Sequence, residues 1–368
     1  MMNSQKLLSI AKEHREAVIL GKLKQELFIK SNCSIDLEER AIRLLSLEHP
    51  VQLSRLLKKD FHLLESEINA PNYTIFAIKK KRGGKRIVTA PKGNTKAIQQ
   101  RLNHFFQGYY SIIRPTASYG FVRASEFDQT PPSIAGNAQP HVGQPHLYSL
   151  DLKDYFTHIT TKQVYALFRS ELFQFNKPIA QAMTLLLTYN GSLPTGAPTS
   201  PVIANFCTFQ LDDQLMHFAA ENGLNYTRYA DDMTFSSLSF ITPEIRLSLH
   251  QLIESHGFHI HPKKIHYRHP HQQHRVTGVI VNEKLNVDRK YVKITRAMVH
   301  DLSANGLAIA TQNHFRLHRD PFHSEIIRFI HTLQGRISFI QSIRGKHDPN
   351  TLAYQLTLDF ALENFSFK

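Results

Sequence analysis

Cysteine is scarce in this chain of 368 residues, which contains only Cys33 and Cys207. Two cysteines so far apart provide no disulfide framework, and they suggest a reducing compartment. Long apolar stretches are also lacking, because no run reaches the ~18 residues that a membrane-spanning helix needs. The first residues lead into an amphipathic pattern interrupted by charge, which is not typical of a signal peptide. We therefore expect a cytoplasmic protein without a membrane partner.

Negative charge is in short supply as well. The sequence has 30 Asp and Glu against 44 Lys and Arg, which gives a net charge of +14. An excess of this size predicts a polyanionic partner, although a basic protein without such a partner is the simpler alternative. No internal repeat is found, and the length is sufficient for a sizeable core divided into several lobes.

Two adjacent acids, Asp231 and Asp232, stand out between two stretches that alternate aromatic or β-branched residues with polar ones. This pattern predicts a tight β-hairpin with both carboxylates at its tip. Two such charges repel by about 4 kcal/mol at ~4 Å and an effective dielectric of ~20. Hard divalent cations commonly offset that repulsion. A surface hairpin that merely turns through Asp-Asp is the alternative.

A third acid, Asp151, lies on an apolar strand upstream and can converge with the hairpin on a two-metal site for phosphoryl transfer. With these acids and the Tyr-Ala-Asp-Asp tip, the chain resembles a reverse transcriptase. The resemblance implies that Asp151 and Asp231 hold two Mg²⁺ ions, for which Mn²⁺ can substitute. It also implies that Asp232 assists and that the backbone carbonyl of Leu152 completes one coordination shell.

The same resemblance outlines a nucleotide pocket. The basic hairpin at 79–86 matches the fingers hairpin that closes on the incoming triphosphate, which makes Lys85 and Arg86 candidates for phosphate contacts. As a bare charge run, that hairpin tip would simply be solvated. Phe156 matches the aromatic residue that excludes a 2′-hydroxyl, and its alternative is a core Phe after a strand.

Two further segments belong to this pocket by resemblance. The Pro/Gly-rich loop at 191–201 contains Thr195 and Gly196 and lines the nucleotide site in the family. Many relatives carry Gln where this chain has Thr195, so preservation of that contact stays open. Lys264 matches a lysine that donates a proton to the leaving pyrophosphate, and a surface lysine is the equal alternative.

Two motifs resemble those of retron reverse transcriptases. Asn137 and His141 form an Asn-Ala-x-x-His motif, and they either contact nucleic acid or only tie down their loop. The second motif places Val276, Thr277 and Gly278 where relatives grip the primer end.

The C-terminal part predicts a helical thumb. One apolar stripe recurs at helical spacing: Ile326, Ile330, Leu333, Ile337 and Ile340. Arg328 and Arg336 interleave with it and are expected to cradle a duplex, while Gly335 allows close backbone approach. Residues 256–274 hold seven His, for which a polar loop near nucleic acid is a better interpretation than a metal cluster, since no clean ligand spacing emerges.

The expected fold class is α+β, as a right-hand polymerase with fingers, a palm of split βαβ type, a helical thumb and additional N-terminal helices. We expect N-terminal helices over 1–70, fingers over 71–146, a palm over 147–283, and a thumb with the C-terminal helical region over 284–368. Residues 157–205 are shared between fingers and palm.

The expected function is RNA-directed DNA synthesis from deoxynucleoside triphosphates on a cognate structured non-coding RNA. By resemblance to retrons, the enzyme primes from an internal guanosine 2′-hydroxyl, makes a branched RNA–DNA hybrid, and works with an effector protein in anti-phage defence. The alternatives are an intron-encoded or diversity-generating reverse transcriptase, or a non-catalytic nucleic-acid binder. The lack of length for a maturase or endonuclease domain disfavours the intron type, and the three intact acids disfavour the binder.

Overall fold

The computed structural model describes residues 4–19, 33–79, 83–125, 128 and 130–363. Part of the N-terminal helical region, residues 20–32, and the basic tip at 80–82 lie outside the described residues. Within the described part, no helix combines the length and the hydropathy that crossing a membrane requires.

Helices account for most of the regular structure. They are α1 (Ser4–Ile19), α2 (Cys33–Leu45), α3 (Pro50–Leu57), α4 (Phe61–Asn69), α5 (Gly93–Ile113), α6 (Ile134–Ala138), α7 (Tyr155–His158), α8 (Thr161–Arg169), α9 (Lys177–Leu187), α10 (Ser200–Cys207), α11 (Phe209–Glu221), α12 (Pro243–Ser255), α13 (Arg289–Phe315), α14 (His323–Arg344) and α15 (Pro349–Glu363). The strands are β1 (Tyr73–Lys79), β2 (Lys85–Pro91), β3 (His146–Asp151), β4 (Asn225–Tyr229), β5 (Asp232–Ser237), β6 (His266–Arg268), β7 (Arg275–Val276) and β8 (Val279–Ile280).

The central sheet has four antiparallel strands in the order β4-β5-β3-β6. The alternation predicted for the Asp-Asp hairpin holds, with β4 and β5 paired directly across the turn. Apolar residues from the sheet and from helices α5 and α8 to α12 form one continuous core. Because helices cover this sheet, β4 and β5 bury side chains from both faces, including polar ones.

The fingers hairpin consists of β1 and β2, which pair from Tyr73 opposite Pro91 to Lys79 opposite Lys85. Its apolar residues Ile75, Ile78 and Ile87 are each at least half exposed. The hairpin therefore projects from the body of the protein and is anchored mainly at its base, where α5 begins.

The thumb is formed by α13, α14 and α15, which enclose a core of their own. Most of the predicted stripe on α14 is buried, with Leu333 and Ile337 at 0% and 1% exposure. The expectation for Gly335 is wrong: a Cβ added there would meet no atom within 4 Å, so its backbone is not closely approached. A kink at Gly306, with φ +75°, interrupts α13.

The mixed helical and antiparallel architecture confirms the α+β class of the predicted fold. The bounds of fingers, palm and thumb stay a prediction.

Candidate active site

The Asp-Asp hairpin turns through only two residues. Tyr229 pairs with Asp232 across β4 and β5, so Ala230 and Asp231 alone form the turn. Ala230 takes a left-handed conformation with φ +58°, which a residue with a Cβ adopts at a cost. A turn this short fixes the directions in which the two carboxylates leave the backbone.

The third acid lies directly opposite on the neighbouring strand. Asp151 is the register partner of Asp232 in the β3–β5 pair. The backbone N–H of Leu152 donates to the carbonyl of Asp231 at 2.9 Å, which ties the end of β3 to the hairpin tip. All three acids line one cleft of about 1260 Å³, together with Arg86 and other basic residues.

Burial and neighbouring negative charge raise the pKa of both acids of the hairpin. Desolvation, followed by repulsion from Asp231 and Asp151, raises the pKa of Asp232 to about 6. Desolvation and the charge of Asp151 also raise the pKa of Asp231, while Lys264 and Arg86 act in the opposite direction. The site therefore concentrates negative charge that its own cations only partly neutralise.

Lys264 provides the nearest compensation. Its Nζ lies 2.5 Å from Oδ1 of Asp151, and the lysine side chain is half exposed while Asp151 is buried. The short 3₁₀ turn at Pro262–Lys264 sets this position, and the backbone N–H of His261 donates to the carbonyl of Asp151. Lys264 is thus in contact with a catalytic candidate, and its role as a proton donor stays a prediction.

Carboxylate oxygens are the donors that hard divalent cations prefer, and the repulsion among the three acids favours a bound cation. Across the described ranges, no group of three or more His, Cys, Asp or Glu side chains is arranged so that it could hold a metal ion. The ion pair with Lys264 already engages one of the carboxylates. Carboxylate donors of this kind suit a divalent ion, and the role of Asp151 as one of its ligands stays a prediction.

The hairpin rests on a buried charged residue that the sequence analysis missed. Arg228, fully buried, pairs with the equally buried Asp212 of α11 at 2.5 Å and 2.7 Å. Its Nη1 also donates to the carbonyl of Ala230, to Asn205 and to Tyr155 at 3.0 to 3.1 Å. In a sequence, a single Arg on a strand is expected to face solvent. The only local sign of burial is Tyr226, which is two residues away and therefore on the same face of β4.

A further residue at this turn is Gly120, which lies in the fingers segment between α5 and α6. A Cβ added there would lie 2.4 Å from the backbone nitrogen of Ala230, so only glycine allows this approach. The carbonyl of Gly120 accepts a hydrogen bond from Asn205 at 2.9 Å. The fingers segment thus presses against the catalytic turn.

The candidate nucleotide-pocket residues differ in where they lie. Arg86 lines the cleft of the three acids, whereas Lys85 does not. Phe156 is half buried, and its ring packs 6.5 Å from that of Phe121, which in turn packs against Tyr229 beside the acids. Of the two phosphate-contact candidates, the structure therefore favours Arg86.

The loop residues Thr195 and Gly196 pack against the fingers hairpin. The hydroxyl of Thr195 accepts from the N–H of Thr89 at 3.0 Å and donates to the carbonyl of Ile87 at 3.2 Å. A Cβ on Gly196 would lie 2.9 Å from Thr89 O and from two side chains of β2. Thr195 thus joins the loop to β2. Because its hydroxyl is already bonded to the backbone of β2, a contact between this hydroxyl and a nucleotide stays a prediction.

The first retron-type motif lies inside the protein. The ring of His141 is buried, with Nδ1 2.6 Å from the hydroxyl of Ser236 and Nε2 2.8 Å from that of Thr227. Burial lowers the pKa of His141 to about 3, so the ring is neutral. These positions favour the interpretation that the motif ties its loop down, here onto both strands of the catalytic hairpin.

The second motif is connected to the first. Asn137 is also buried, and its Nδ2 lies 3.4 Å from the hydroxyl of Thr277. Val276 is buried and pairs with Val279, so Thr277 and Gly278 form a two-residue turn, both with positive φ. This turn lines the cleft of the three acids, and its contact with a primer end stays a prediction.

The two thumb arginines are engaged within the protein. Arg336 donates to Thr295 and to the carbonyl of Tyr291, and its guanidinium stacks 3.9 Å from the Tyr291 ring centroid. Arg328 lies over the ring of Phe315. Contacts within the protein therefore account for the position of the Arg336 side chain. Of the two arginines, Arg328 remains the better candidate for the predicted duplex contact.

The histidines of 256–274 serve several local roles. His274 is buried, and its ring nitrogens lie within 3.0 Å of the carbonyls of Gln144 and His269. His269 packs edge-on against Tyr267. This stretch includes β6, whose residues His266 and Arg268 line one side of the cleft of the three acids.

The sequence of this chain is similar to those of known reverse transcriptases. The family model described as reverse transcriptase (RNA-dependent DNA polymerase) matches residues 78–281. The retron Ec86 reverse transcriptase of Escherichia coli is 34% identical over 234 residues, covering 62% of this chain and 70% of that one. The retron Mx65 reverse transcriptase of Myxococcus xanthus is 32% identical, covering 62% and 56%. The retron Ec83 reverse transcriptase of Escherichia coli is 26% identical, covering 80% and 92%.

Among solved structures, telomerase from Candida albicans in complex with a telomeric RNA fragment is similar with a TM-score of 0.44 at 10% identity, covering 79% of this chain and 63% of that one. That likeness is too distant to carry an argument of its own. The chain belongs to the reverse transcriptase family, as a retron-type member. It is an RNA-directed DNA polymerase, which confirms the predicted activity, and its family depends on divalent metal ions.

Proposed function

We propose that this polymerase copies its own structured non-coding RNA into a branched RNA–DNA hybrid, priming from an internal guanosine 2′-hydroxyl. The product and its effector protein would act in bacterial anti-phage defence. The observation that carries the proposal is the convergence of three acids, beside both retron-type motifs, in a chain similar to retron reverse transcriptases. Those relatives favour the retron class over intron-encoded or diversity-generating enzymes.

Asp151 and Asp231 would hold two Mg²⁺ ions, with Asp232 assisting and the carbonyl of Leu152 as a further donor. When bound, such ions lower the pKa of the attacking hydroxyl and stabilise the leaving pyrophosphate. The residues themselves supply position: the short turn and the β3–β5 register keep the carboxylates at one edge of the sheet.

Lys264 exchanges partners during this cycle. Its ammonium group balances Asp151 in the structure described here. With that carboxylate engaged by a cation, the ammonium of Lys264 would be available to donate a proton to the leaving pyrophosphate. The exposed half of the lysine side chain leaves room for that movement.

Other cleft residues would hold the nucleotide. Arg86 projects from β2 into the cleft of the acids, where its guanidinium suits a triphosphate. Phe156 lies in an aromatic group beside the catalytic turn, where a ring can exclude a 2′-hydroxyl. Residues 71–146 would act as fingers, with 157–205 shared with the palm of 147–283, and the helices after 284 as the thumb over the duplex.

The test is the chemical nature of the product. Protein expressed with its neighbouring genomic DNA should carry a short DNA joined to RNA through a 2′,5′ phosphodiester. Ribonuclease should trim the RNA to a resistant stub, because cleavage requires a free 2′-hydroxyl beside the phosphate. A debranching enzyme should then release DNA with a 5′ phosphate, seen as a shift on a denaturing gel.

The matched control is Asp231→Asn, which removes one catalytic carboxylate while retaining the shape of the turn. It should yield the RNA without attached DNA. Recovery from the unaltered protein of only linear DNA that starts from an ordinary 3′ end would reject the retron priming and leave the polymerase assignment standing.

A further inference from the structure

A second basic cleft lies among the N-terminal helices. It has a volume of about 870 Å³ and is lined by the end of α3, by α2 and by α5. We call it the N-terminal cleft and define it by its basic residues: Arg40, Arg43, Lys58, Lys59, Arg101 and His104. None of the residues that line it also lines the cleft of the three acids.

The charge of this cleft is poorly balanced from within. Five permanently charged basic residues stand against two acids, Asp36 and Glu39, a net of +3. Both acids are already engaged, Asp36 by Arg40 and Glu39 by Arg43. Within the described ranges, Lys58 and Lys59 form no ion pair.

Some of the guanidinium nitrogens also lack acceptors. Arg40 is 8% exposed, yet its Nη1 has no hydrogen-bond partner among the described residues. Arg101 donates from Nε to the carbonyl of Leu56 at 2.9 Å, and across the described residues its two terminal nitrogens have no acceptor. The fold therefore concentrates donors here without supplying the acceptors that buried polar groups normally find.

The packing holds the arginines in place. A Cβ on Gly108 of α5 would lie 2.9 Å from Cβ of Arg40 and 3.3 Å from the carbonyl of Leu37, so α2 and α5 approach closely. The positive field is also visible at His104, whose pKa is lowered by desolvation and then by Arg40, among other arginines. Arg40 is thus held in place at the cleft by close packing of α2 against α5.

The shape of the surface around the cleft indicates the kind of anion. Lys92, Lys96, Gln100 and His104 recur at four-residue spacing and are all exposed, so they form one donor-rich line along α5. Twelve residues of helix extend about 18 Å. A line of this length suits a repeating phosphate backbone better than a single small anion.

An acidic protein partner fits less well. Stable protein contacts usually depend on an apolar anchor in a pocket. Two of the apolar residues of the N-terminal cleft, Leu57 and Phe105, are 1% and 6% exposed, and the third, Ala97, is exposed but too small to anchor a partner. We propose that the N-terminal cleft binds the phosphate backbone of RNA outside the catalytic cleft, as a second site that retains the RNA while DNA is made.

The test neutralises two basic residues that no acid holds. In the double variant Lys58→Gln with Lys59→Gln, the affinity for a long single-stranded RNA should fall. Each phosphate contact contributes ~0.7 to the slope of log affinity against log salt for single strands, so losing two lowers the slope by about 1.4. The affinity advantage of the unaltered protein should then shrink roughly sevenfold as salt rises from about 50 to about 200 mM.

The matched control, Lys162→Gln with Lys346→Gln, removes the same charge from two exposed lysines outside both clefts. It should keep the slope of the unaltered protein. If the two double variants have equal affinities and slopes, the N-terminal cleft is not an RNA site. Nucleotide incorporation on a short primer–template should be unchanged in both. Failure of the unaltered protein to incorporate nucleotides would instead contradict the polymerase assignment.

A second measurement distinguishes the two classes of partner. Acylation of Lys58 and Lys59 by an amine reagent should be suppressed by RNA and not by poly-glutamate at equal ionic strength. Suppression by poly-glutamate alone would overturn the proposal in favour of an acidic protein partner.

Discussion

The buried pair of Arg228 and Asp212 allows a quantitative prediction. Both side chains are 0% exposed. In Arg228→Met the volume is roughly kept, but Asp212 loses its counter-charge and the carbonyl of Ala230 loses a donor. Breaking a buried pair by removing one partner costs about 3–5 kcal/mol. That is a large share of a total stability of ~5–15 kcal/mol, so the variant should unfold at much lower urea concentration.

Two comparisons separate the causes. Arg319→Met breaks a solvent-accessible pair with Glu325, whose charges water and salt screen, and should cost much less stability than Arg228→Met. The double variant Arg228→Met with Asp212→Leu removes both buried charges, and an apolar replacement of this kind is often neutral or stabilising by ~1–4 kcal/mol. It should therefore regain most of the lost stability, as measured by urea unfolding followed by circular dichroism.

Activity should not recover with stability. The double variant still lacks the donor to the Ala230 carbonyl, next to Asp231. A misplacement near 1 Å can cost about a hundredfold in rate, so primer extension should be slow in a well-folded protein. Full activity in the double variant would refute the positioning role of Arg228. A loss of stability in Arg228→Met no larger than in Arg319→Met would refute the buried-pair account.

Three further changes test other parts of the site. Asp151→Asn or Asp231→Asn should abolish nucleotide incorporation in primer extension while RNA binding stays equal or becomes tighter, and appreciable DNA synthesis would contradict the assignment. Phe156→Val should raise the use of ribonucleotides relative to deoxynucleotides, and an unchanged ratio in a folded protein would leave Phe156 a packing residue. The pKa of His141 is lowered to about 3 in the folded protein, against ~6.5 in the unfolded chain. Below pH ~6.5 the unfolded chain therefore binds a proton at His141 and the folded protein does not. Stability should therefore be complete above that value and fall by about 2 kcal/mol from pH 7 to pH 5. His141→Asn should flatten this dependence in urea titrations at the two pH values, and an equally steep dependence would show that other groups cause it.

The sequence predicted what local patterns encode. Alternating residues on either side of Asp231 and Asp232 predicted the β4–β5 hairpin, and helical spacing predicted the buried stripe of α14. The Gly83-Gly84 pair, a dipeptide typical of hairpin turns, lies between β1 and β2, and both glycines have positive φ. Each of these signals lies within a few residues of the structure that it specifies.

What could not be predicted depends on pairs far apart in the chain. Arg228 lies 16 positions after its partner Asp212, and His141 lies 95 positions before Ser236. A polar side chain in a sequence is expected to be exposed. Only the fold shows that a buried hydrogen-bond or ion-pair partner is available for it. The same applies to Gly120, where a Cβ would collide with the backbone of Ala230, 110 positions further along the chain.

The fixed backbone around the acids explains how the cleft keeps its charge. On a flexible turn, like charges would rotate apart, and their proton affinities would approach those of isolated carboxyls. Here Arg228 holds the carbonyl of Ala230, and Leu152 holds that of Asp231. Desolvation, and then the repulsion between acids held close together, raises the pKa of Asp232 to about 6. Preorganised charge of this kind needs no rearrangement at the moment of reaction, which is why we expect Arg228 to affect the rate although it has no access to substrate.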